Sequence, residues 1–354
     1  MQLSKPERDW LPLGFLTLGA GAGLLTLAAT VLIRLELQEP GVQYLVDASG
    51  RPDGLLYSTL HELHGAVTVL FVMLPMLFAA LGYRFVPLSL SINRTRLRPL
   101  GWLGLVLLGT GLACLIYSVF AVGPKQDSIS LGRFIYPWPG DDPRRKFDAD
   151  WSVLLSVSLP FLSLVLVFVD FLVTSVTRLR TTSVRESIPA WAYVAAGAVL
   201  LAAFVANFIP SENGPLIVLG TLPLRSIDLA LQVVSVVGVV SALWVSILQG
   251  GGRWIVPFLW SVPFVVLLGY GKFTGYLLSQ FGVDAALHNT YYEIGHAHSL
   301  NFSASVFALS AGIFSAFPSV GRQMGLSAVQ VSLMVVATVL TVWPFVLLGL
   351  QGNA

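Results

Sequence analysis

Two histidines set two residues apart in one apolar run are where this chain could do chemistry. They are His296 and His298, within Tyr291-Tyr292-Glu293-Ile294-Gly295-His296-Ala297-His298, and the run continues to Phe317. That is long enough to cross a bilayer as a helix. Imidazoles inside a membrane helix are costly to bury and mark function by default. Residues i and i+2 of an α-helix point about 200° apart at 3.6 residues per turn, so the two rings must face different partners on opposite sides of the helix. Axial ligation of two separate haem irons fits that geometry. The bland alternative is two rings hydrogen-bonded to neighbouring helices.

The elements that must position these rings are membrane helices. The chain has 354 residues, 55% hydrophobic and only 11% charged, with mean hydropathy +0.79. Soluble domains carry about 25% charged residues, so an integral membrane protein is expected. A net charge of +2 gives no reason to expect a nucleic-acid partner. Cys114 is the single cysteine, which excludes intrachain disulfides, CxxCH haem attachment, iron–sulfur clusters and zinc knuckles. The N-terminus reads as a first span rather than a cleavable signal, because its apolar run is too long.

Hydropathy predicts an all-α, polytopic transmembrane bundle of about nine spans. They run roughly Leu11–Ile33, Tyr57–Leu81, Leu100–Phe120, Trp151–Val176, Ile188–Ile209, Ile227–Leu248, Trp254–Leu278, Tyr291–Phe317 and Val329–Leu350. No second domain, low-complexity tract or internal repeat interrupts residues 1–354, so one transmembrane domain is expected. Lys5, Arg8, Arg84, Arg94, Arg96, Arg98, Arg178, Arg180, Arg185, Arg253 and Arg322 collect on one side, and most acids on the other. The positive-inside rule then puts the N-terminus inside. The longest outer loop, about Ala121 to Asp150, reads as a cap on the outer face.

His64 lies seven residues after Tyr57, and His298 seven after Tyr291. At 1.5 Å per residue each sits about 10 Å inward of its tyrosine. The second and eighth spans run the same way, so these rings lie at matching depth and can clamp one iron. That gives a six-coordinate, low-spin haem suited to electron transfer. Taken alone, His64 could equally be a core histidine bonded to a carbonyl. His296 then serves a second haem whose far side is open. His61 could reach a haem propionate or simply sit in interfacial water.

Several stretches resemble subunit I of the haem–copper oxidases. Leu32-Ile33-Arg34-Leu35-Glu36-Leu37-Gln38-Glu39-Pro40-Gly41 resembles the end of that family's first helix. Tyr57, His64-Gly65-Ala66-Val67 and Pro75 resemble its helix II. Phe134-Ile135-Tyr136-Pro137, Asp150-Trp151 and Asp170-Phe171-Leu172-Val173-Thr174 resemble a loop and helix IV. Thr274-Gly275, Leu287-His288-Asn289-Thr290-Tyr291-Tyr292 and His296-Ala297-His298 resemble helices IX and X. The resemblance implies His64 and His298 on a low-spin haem, and His296 as proximal ligand of a high-spin haem. It implies Arg34 at the low-spin haem's periphery and His288 in an outer metal and propionate region, where Asn289 replaces the family's aspartate.

The departures are as informative. No histidine lies between His64 and His288, so the family's three-histidine copper site has no ligands here. Four spans are expected between the third and the eighth, where the family has six. Asn93-Arg94-Thr95-Arg96 stands where the family has the acidic mouth of a proton path, and the chain ends after its ninth span at Gln351-Gly352-Asn353-Ala354. Glu293, one turn before His296 and so on nearly the same face, stands where the family has an apolar residue. It could bind a proton or a second, non-haem metal beside the open haem. Nitric oxide reductases use glutamates near their haem, but keep metal-binding histidines absent here.

The expectation is therefore a membrane haemoprotein with two b- or a-type haems and no copper, not a conventional oxygen-reducing proton pump. Its first reading is an electron-transfer subunit of a respiratory-type complex in a bacterial or archaeal plasma membrane. Its partners would be other membrane subunits and a cytochrome c or cupredoxin-type donor or acceptor at the outer face. The alternative is a catalytic terminal oxidase or nitric-oxide-reductase-like subunit acting at the open haem through Glu293. A third class is a haem-free assembly subunit. Two further charges fall within spans: Asp170, and Lys272 at a depth like that of Glu293. Both admit snorkelling or structural pairing. Because a lone charge at that depth costs several kcal/mol, Lys272 and Glu293 are expected to pair.

Overall fold

The structure is a computed structural model that describes residues 10–38, 44–46, 49–50, 54–90, 92–118, 151–179, 191–198, 224–250, 252–278, 280–287, 290–317 and 324–352. It is all-α. The helices are α1 (Trp10–Gln38), α2 (Gly54–Val67), α3 (Leu81–Ser89), α4 (Arg98–Tyr117), α5 (Trp151–Leu179) and α6 (Leu224–Gln249). They continue as α7 (Ile255–Leu278), α8 (Phe281–Leu287), α9 (Tyr291–Ala297), α10 (Ala304–Ala316) and α11 (Met324–Leu350). Among the described residues, seven helical runs are long and apolar enough to cross a membrane, and α6 adds the shorter apolar stretch Gln232–Leu248. Of the expected span Ile188–Ile209 only 191–198 is described, and the whole loop 121–150 lies outside the described residues. Helix formation follows from the solvent: in hydrocarbon every backbone N–H and C=O must be satisfied within the segment.

Two rods are not plain α-helices. α2 passes into α3 through π-helical turns at Thr68–Met73 and Pro75–Ala80, and α9 passes into α10 through a π-helical turn at His298–Ser303. Pro75 has no N–H to give and sits at the start of its π segment, where the normal ladder is already broken. The first π turn begins after His64 and the other at His298, so the helical rise up to each histidine is that of an α-helix.

These rods form the centre of the bundle. The apolar stretch within Leu63–Ser89 is 76% buried and that within Tyr291–Ala316 65%, against 17% for the first and last spans. α10 packs on α6 and α7, α9 on α11, α4 on α5, and α1 along α2 and its π turns. One core cluster unites Phe15 of α1, Phe71 and Phe85 of the α2–α3 rod, Phe171 of α5, Trp260 of α7 and Phe307 of α10. The two rods run side by side in one direction. At one end Tyr57 lies within electrostatic reach of Tyr291; at the other, Arg84 Nη2 reaches the Ala316 carbonyl at 3.4 Å.

Close approach of α9 to α11 depends on missing side chains. A Cβ on Gly295 would lie 3.2 Å from the Val346 backbone nitrogen, and one on Gly349 would lie 2.6 Å from Tyr292 Cα. Tyr292, Val342 and Val346 close this contact as a small buried cluster of their own.

Candidate functional site

His64 is half-buried on α2, where α1 supplies a polar partner. Its Nδ1 lies 2.9 Å from Thr30 Oγ1. The Thr30 hydroxyl has one proton, and that proton goes to the Thr26 carbonyl at 2.8 Å. Towards His64 it therefore accepts, and Nδ1 carries the hydrogen. The contact is backed by a second small cluster, Ala29, Ile33 and Leu45 with Leu60, against which Leu56, Tyr57 and Leu63 pack.

His296 repeats this arrangement from a different helix. Its Nδ1 lies 2.7 Å from Thr274 Oγ1 on α7, and that hydroxyl is already turned to the carbonyls of Tyr270 at 3.0 Å and Gly271 at 3.1 Å. Again the threonine accepts. His298, 200° further round, engages the carbonyl of Ile294 through Nδ1 at 2.9 Å. Its ring packs against Phe345 of α11 with centroids 5.8 Å apart. The two imidazoles of one helix thus face α7 and α11 respectively, as their spacing requires.

All three rings share one electronic state. With hydrogen on Nδ1, a neutral imidazole presents its lone pair at Nε2. Metal-bound histidines characteristically donate their other N–H in this way, which fixes tautomer and ring plane. The donor set therefore suits an iron of a haem. Gly275 adds room: a Cβ there would stand 3.2 Å from Cε1 and 3.7 Å from Nε2 of His296. Among the described residues no three or more His, Cys, Asp or Glu side chains converge as a metal group of their own.

The remaining expected residues divide. Arg34 is exposed at the end of α1, one turn beyond Thr30 and so on the stripe that faces His64. Two residues on, the Glu36 carboxylate receives the N–H groups of Tyr44 at 2.8 Å and Leu45 at 3.0 Å, holding the chain that follows α1. Glu293 is half-buried in the first turn of α9. Thr290 caps that helix, accepting from the Tyr292 N–H at 3.2 Å. Thr290-x-x-Glu293 is a capping-box sequence, a signal the reading of Glu293 as a purely chemical carboxylate passed over. The expected Lys272–Glu293 pair is not formed: no ion pair joins these two described side chains, and Lys272 is exposed on α7. Its ammonium nonetheless lies within electrostatic reach of His296.

Asp170 is structural. It is fully buried and receives the Thr95 hydroxyl at 2.6 Å, the Leu97 N–H at 2.7 Å, the Tyr83 hydroxyl at 3.2 Å and the Thr174 hydroxyl at 3.3 Å. These donors tie the α3–α4 turn to α5. The side chain of His61, and His288 altogether, lie outside the described residues. Thr30 is a site residue that the sequence did not single out, and Thr274 entered there only within the stretch resembling helix IX, not as a partner of His296. Nothing in sequence spacing marks them, because each acts across helices.

The comparisons agree on one family. The sequence model described as "Cytochrome C and Quinol oxidase polypeptide I" matches residues 12–216 and 221–354. Cytochrome c oxidase subunit 1 of Cereibacter sphaeroides is 24% identical over 448 aligned positions, covering 96% of this chain and 79% of that protein. The Eremothecium gossypii subunit 1 is 20% identical, covering 93% and 77%. That of Candida albicans is 34% identical over 113 residues, 31% of this chain and 21% of its own length. An alignment of 448 positions against 354 residues leaves at least 94 positions of the bacterial relative with no counterpart here. The relatives come from a bacterium and from fungi, and so lend no support to the narrower expectation of a bacterial or archaeal membrane. With apolar spans throughout and a family match across most of its length, this integral membrane chain belongs to the cytochrome c and quinol oxidase polypeptide I family.

Proposed function

We propose that the chain is a single transmembrane domain, N-terminus inside, that holds two b- or a-type haems at the end where α2 and α9 begin. His64 and His298 are the axial pair of a low-spin haem, with Arg34 at its edge, and His296 is the one protein ligand of a second, high-spin haem. A haem supplies reversible one-electron chemistry when bound. The protein works as the electron-transfer subunit of a respiratory-type complex, with other membrane subunits and a cytochrome c or cupredoxin-type partner at its outer face. The single observation that carries this reading is the shared hydrogen-bond pattern: each ring has Nδ1 on an acceptor, Thr30, Thr274 or Ile294, which leaves Nε2 the basic nitrogen. The parallel rods, level at both ends, support the matched depth of His64 and His298.

Copper has no part in it. The chain has no histidine between His64 and His288, and a copper of this kind needs converging imidazole or thiolate ligands. Elemental analysis is expected to find no stoichiometric copper; one copper per chain, magnetically coupled to the second haem, would refute the assignment. The ligand assignment is tested by replacing each histidine in the purified protein. His64→Ala and His298→Ala should each abolish the same low-spin signal, and His296→Ala a different one. Loss of different signals from the first two, or of none, rules the clamp out.

A second reading, catalysis at the open haem as in a terminal oxidase or nitric oxide reductase, draws on Glu293, half-buried and one turn from His296. In the relay reading that carboxylate takes no part in proton transfer. Glu293→Gln then leaves electron transfer through the protein unchanged, whereas in the catalytic reading it removes turnover.

A further inference from the structure

The three imidazoles take their Nδ1 partners from different places. His298 uses Ile294, four residues back in its own helix, so its acceptor travels with it. His296 uses Thr274 on α7, across a helix–helix contact, and at 2.7 Å this is the shortest of the three bonds. Thr274 is itself buried, 2% exposed, and its hydroxyl proton is directed to the α7 backbone. The hydroxyl is thereby fixed as an acceptor aimed at α9. On both sides of it in the same stripe α7 lacks a side chain. A Cβ on Gly271 would lie 2.7 Å from Leu300 Cβ, and one on Gly275 would lie 3.2 Å from His296 Cε1. The strip Gly271, Thr274, Gly275 thus lets α9 and its π-helical continuation lie close, and gives the ring one polar anchor.

We infer that Thr274 is a positioning residue for the second haem site: it fixes the tautomer and plane of His296 from α7 and raises the basicity of its Nε2. This rests on His296 being an iron ligand, as proposed above. An imidazole that donates from Nδ1 pushes more electron density through Nε2, which favours the ferric over the ferrous state. Removing the acceptor therefore weakens the iron–imidazole bond and raises the midpoint potential of that haem. It leaves the His64/His298 haem alone, because neither of those rings touches Thr274. Outer-shell partners of this kind are worth roughly 10–100-fold in metal affinity. A tenfold loss borne by the ferric state alone reads as a rise of about 59 mV for a one-electron couple.

The test compares wild type, Thr274→Val and Thr274→Ser in the full-length, haem-loaded protein, by resonance Raman of the ferrous iron–imidazole stretch and by redox titration. The expected result is a lowered stretching frequency and a raised potential for the second haem in Thr274→Val. Thr274→Ser keeps wild-type values, and the low-spin signal is constant in all three. Wild-type values in Thr274→Val overturn the inference. So does an equal shift in Thr274→Ser, or joint loss of both haem signals in Thr274→Val, which marks a merely structural role. His296→Ala separates the two levels. If it removes the second haem while Thr274→Val shifts nothing, only this inference fails; if it removes no haem signal, the ligand assignment fails and the inference with it.

Discussion

Among the described residues, a buried carboxylate at one end of the bundle and half-buried histidines at the other are built on opposite rules. At one end Asp170 takes four donors from α3, α5 and the turn before α4. A carboxylate has about four lone-pair sites, so its capacity is used up inside the protein. At the other end each histidine gives one nitrogen to a protein acceptor, and that bond makes the second nitrogen a better ligand. A saturated group is a fastener; a ring polarised at one nitrogen is prepared to bind through the other. The sequence already favoured a structural role for Asp170 over the chemical role it allowed Glu293, and the four donors give the physical reason.

The comparison can be broken most forcefully at Asp170. Replacing it with Ala leaves the Tyr83 and Thr95 hydroxyls and the Leu97 N–H buried without their acceptor, at about 1–3 kcal/mol each. Thermal unfolding in detergent should show destabilisation of roughly 3 kcal/mol or more, with both haems retained in proportion in whatever folds. Selective loss of one haem at unchanged stability would move Asp170 from fastener to site.

Next in size is Gly349→Ala. Its Cβ would collide with the backbone of Tyr292, forcing α11 away from the first turn of α9, at about 1–3 kcal/mol for an overpacked contact. Because α9 carries both His296 and His298, this packing change, unlike that at Asp170, should also broaden the haem spectra. Stability lost with sharp, wild-type spectra would show that the histidine end does not depend on the α9–α11 fit.

Smallest is Thr30→Val, which removes the acceptor from His64 Nδ1. About 0.5–1.5 kcal/mol of stability should go, together with an upward shift of the low-spin haem's potential, and Thr30→Ser should restore both. A wild-type potential in Thr30→Val would remove the distinction between polarised and merely buried rings.

Much of the fold was legible because the bilayer imposes it. Runs of about 20 apolar residues have one solution in hydrocarbon, and several described spans begin and end within a few residues of the expected ones, as Arg98–Tyr117 does against Leu100–Phe120, whereas the second runs on to Ser89, well past the expected Leu81. The π-helical turns were not legible, since a one-residue widening leaves no mark on a run that is apolar all round. The short α8 was read as loop because seven residues, Phe281–Leu287, carry no span-length signal. At the site, the opposed directions of His296 and His298 followed from helical geometry alone. The Lys272–Glu293 pair failed for a definite reason: depth and loop length fix height, not azimuth. Thr30 and Thr274 themselves needed the packing of α1 on α2 and of α7 on α9, which no single sequence displays.

The central claim, that the histidine end is prepared for iron and the Asp170 end is not, is tested most directly by one optical experiment on the purified wild-type protein: spectra oxidised, reduced, and reduced under carbon monoxide. The account predicts a low-spin, bis-imidazole haem that carbon monoxide leaves unchanged, and a second haem whose bands shift on binding it. A protein purified from haem-sufficient cells without haem, or with haem but no bis-imidazole signal, would contradict it.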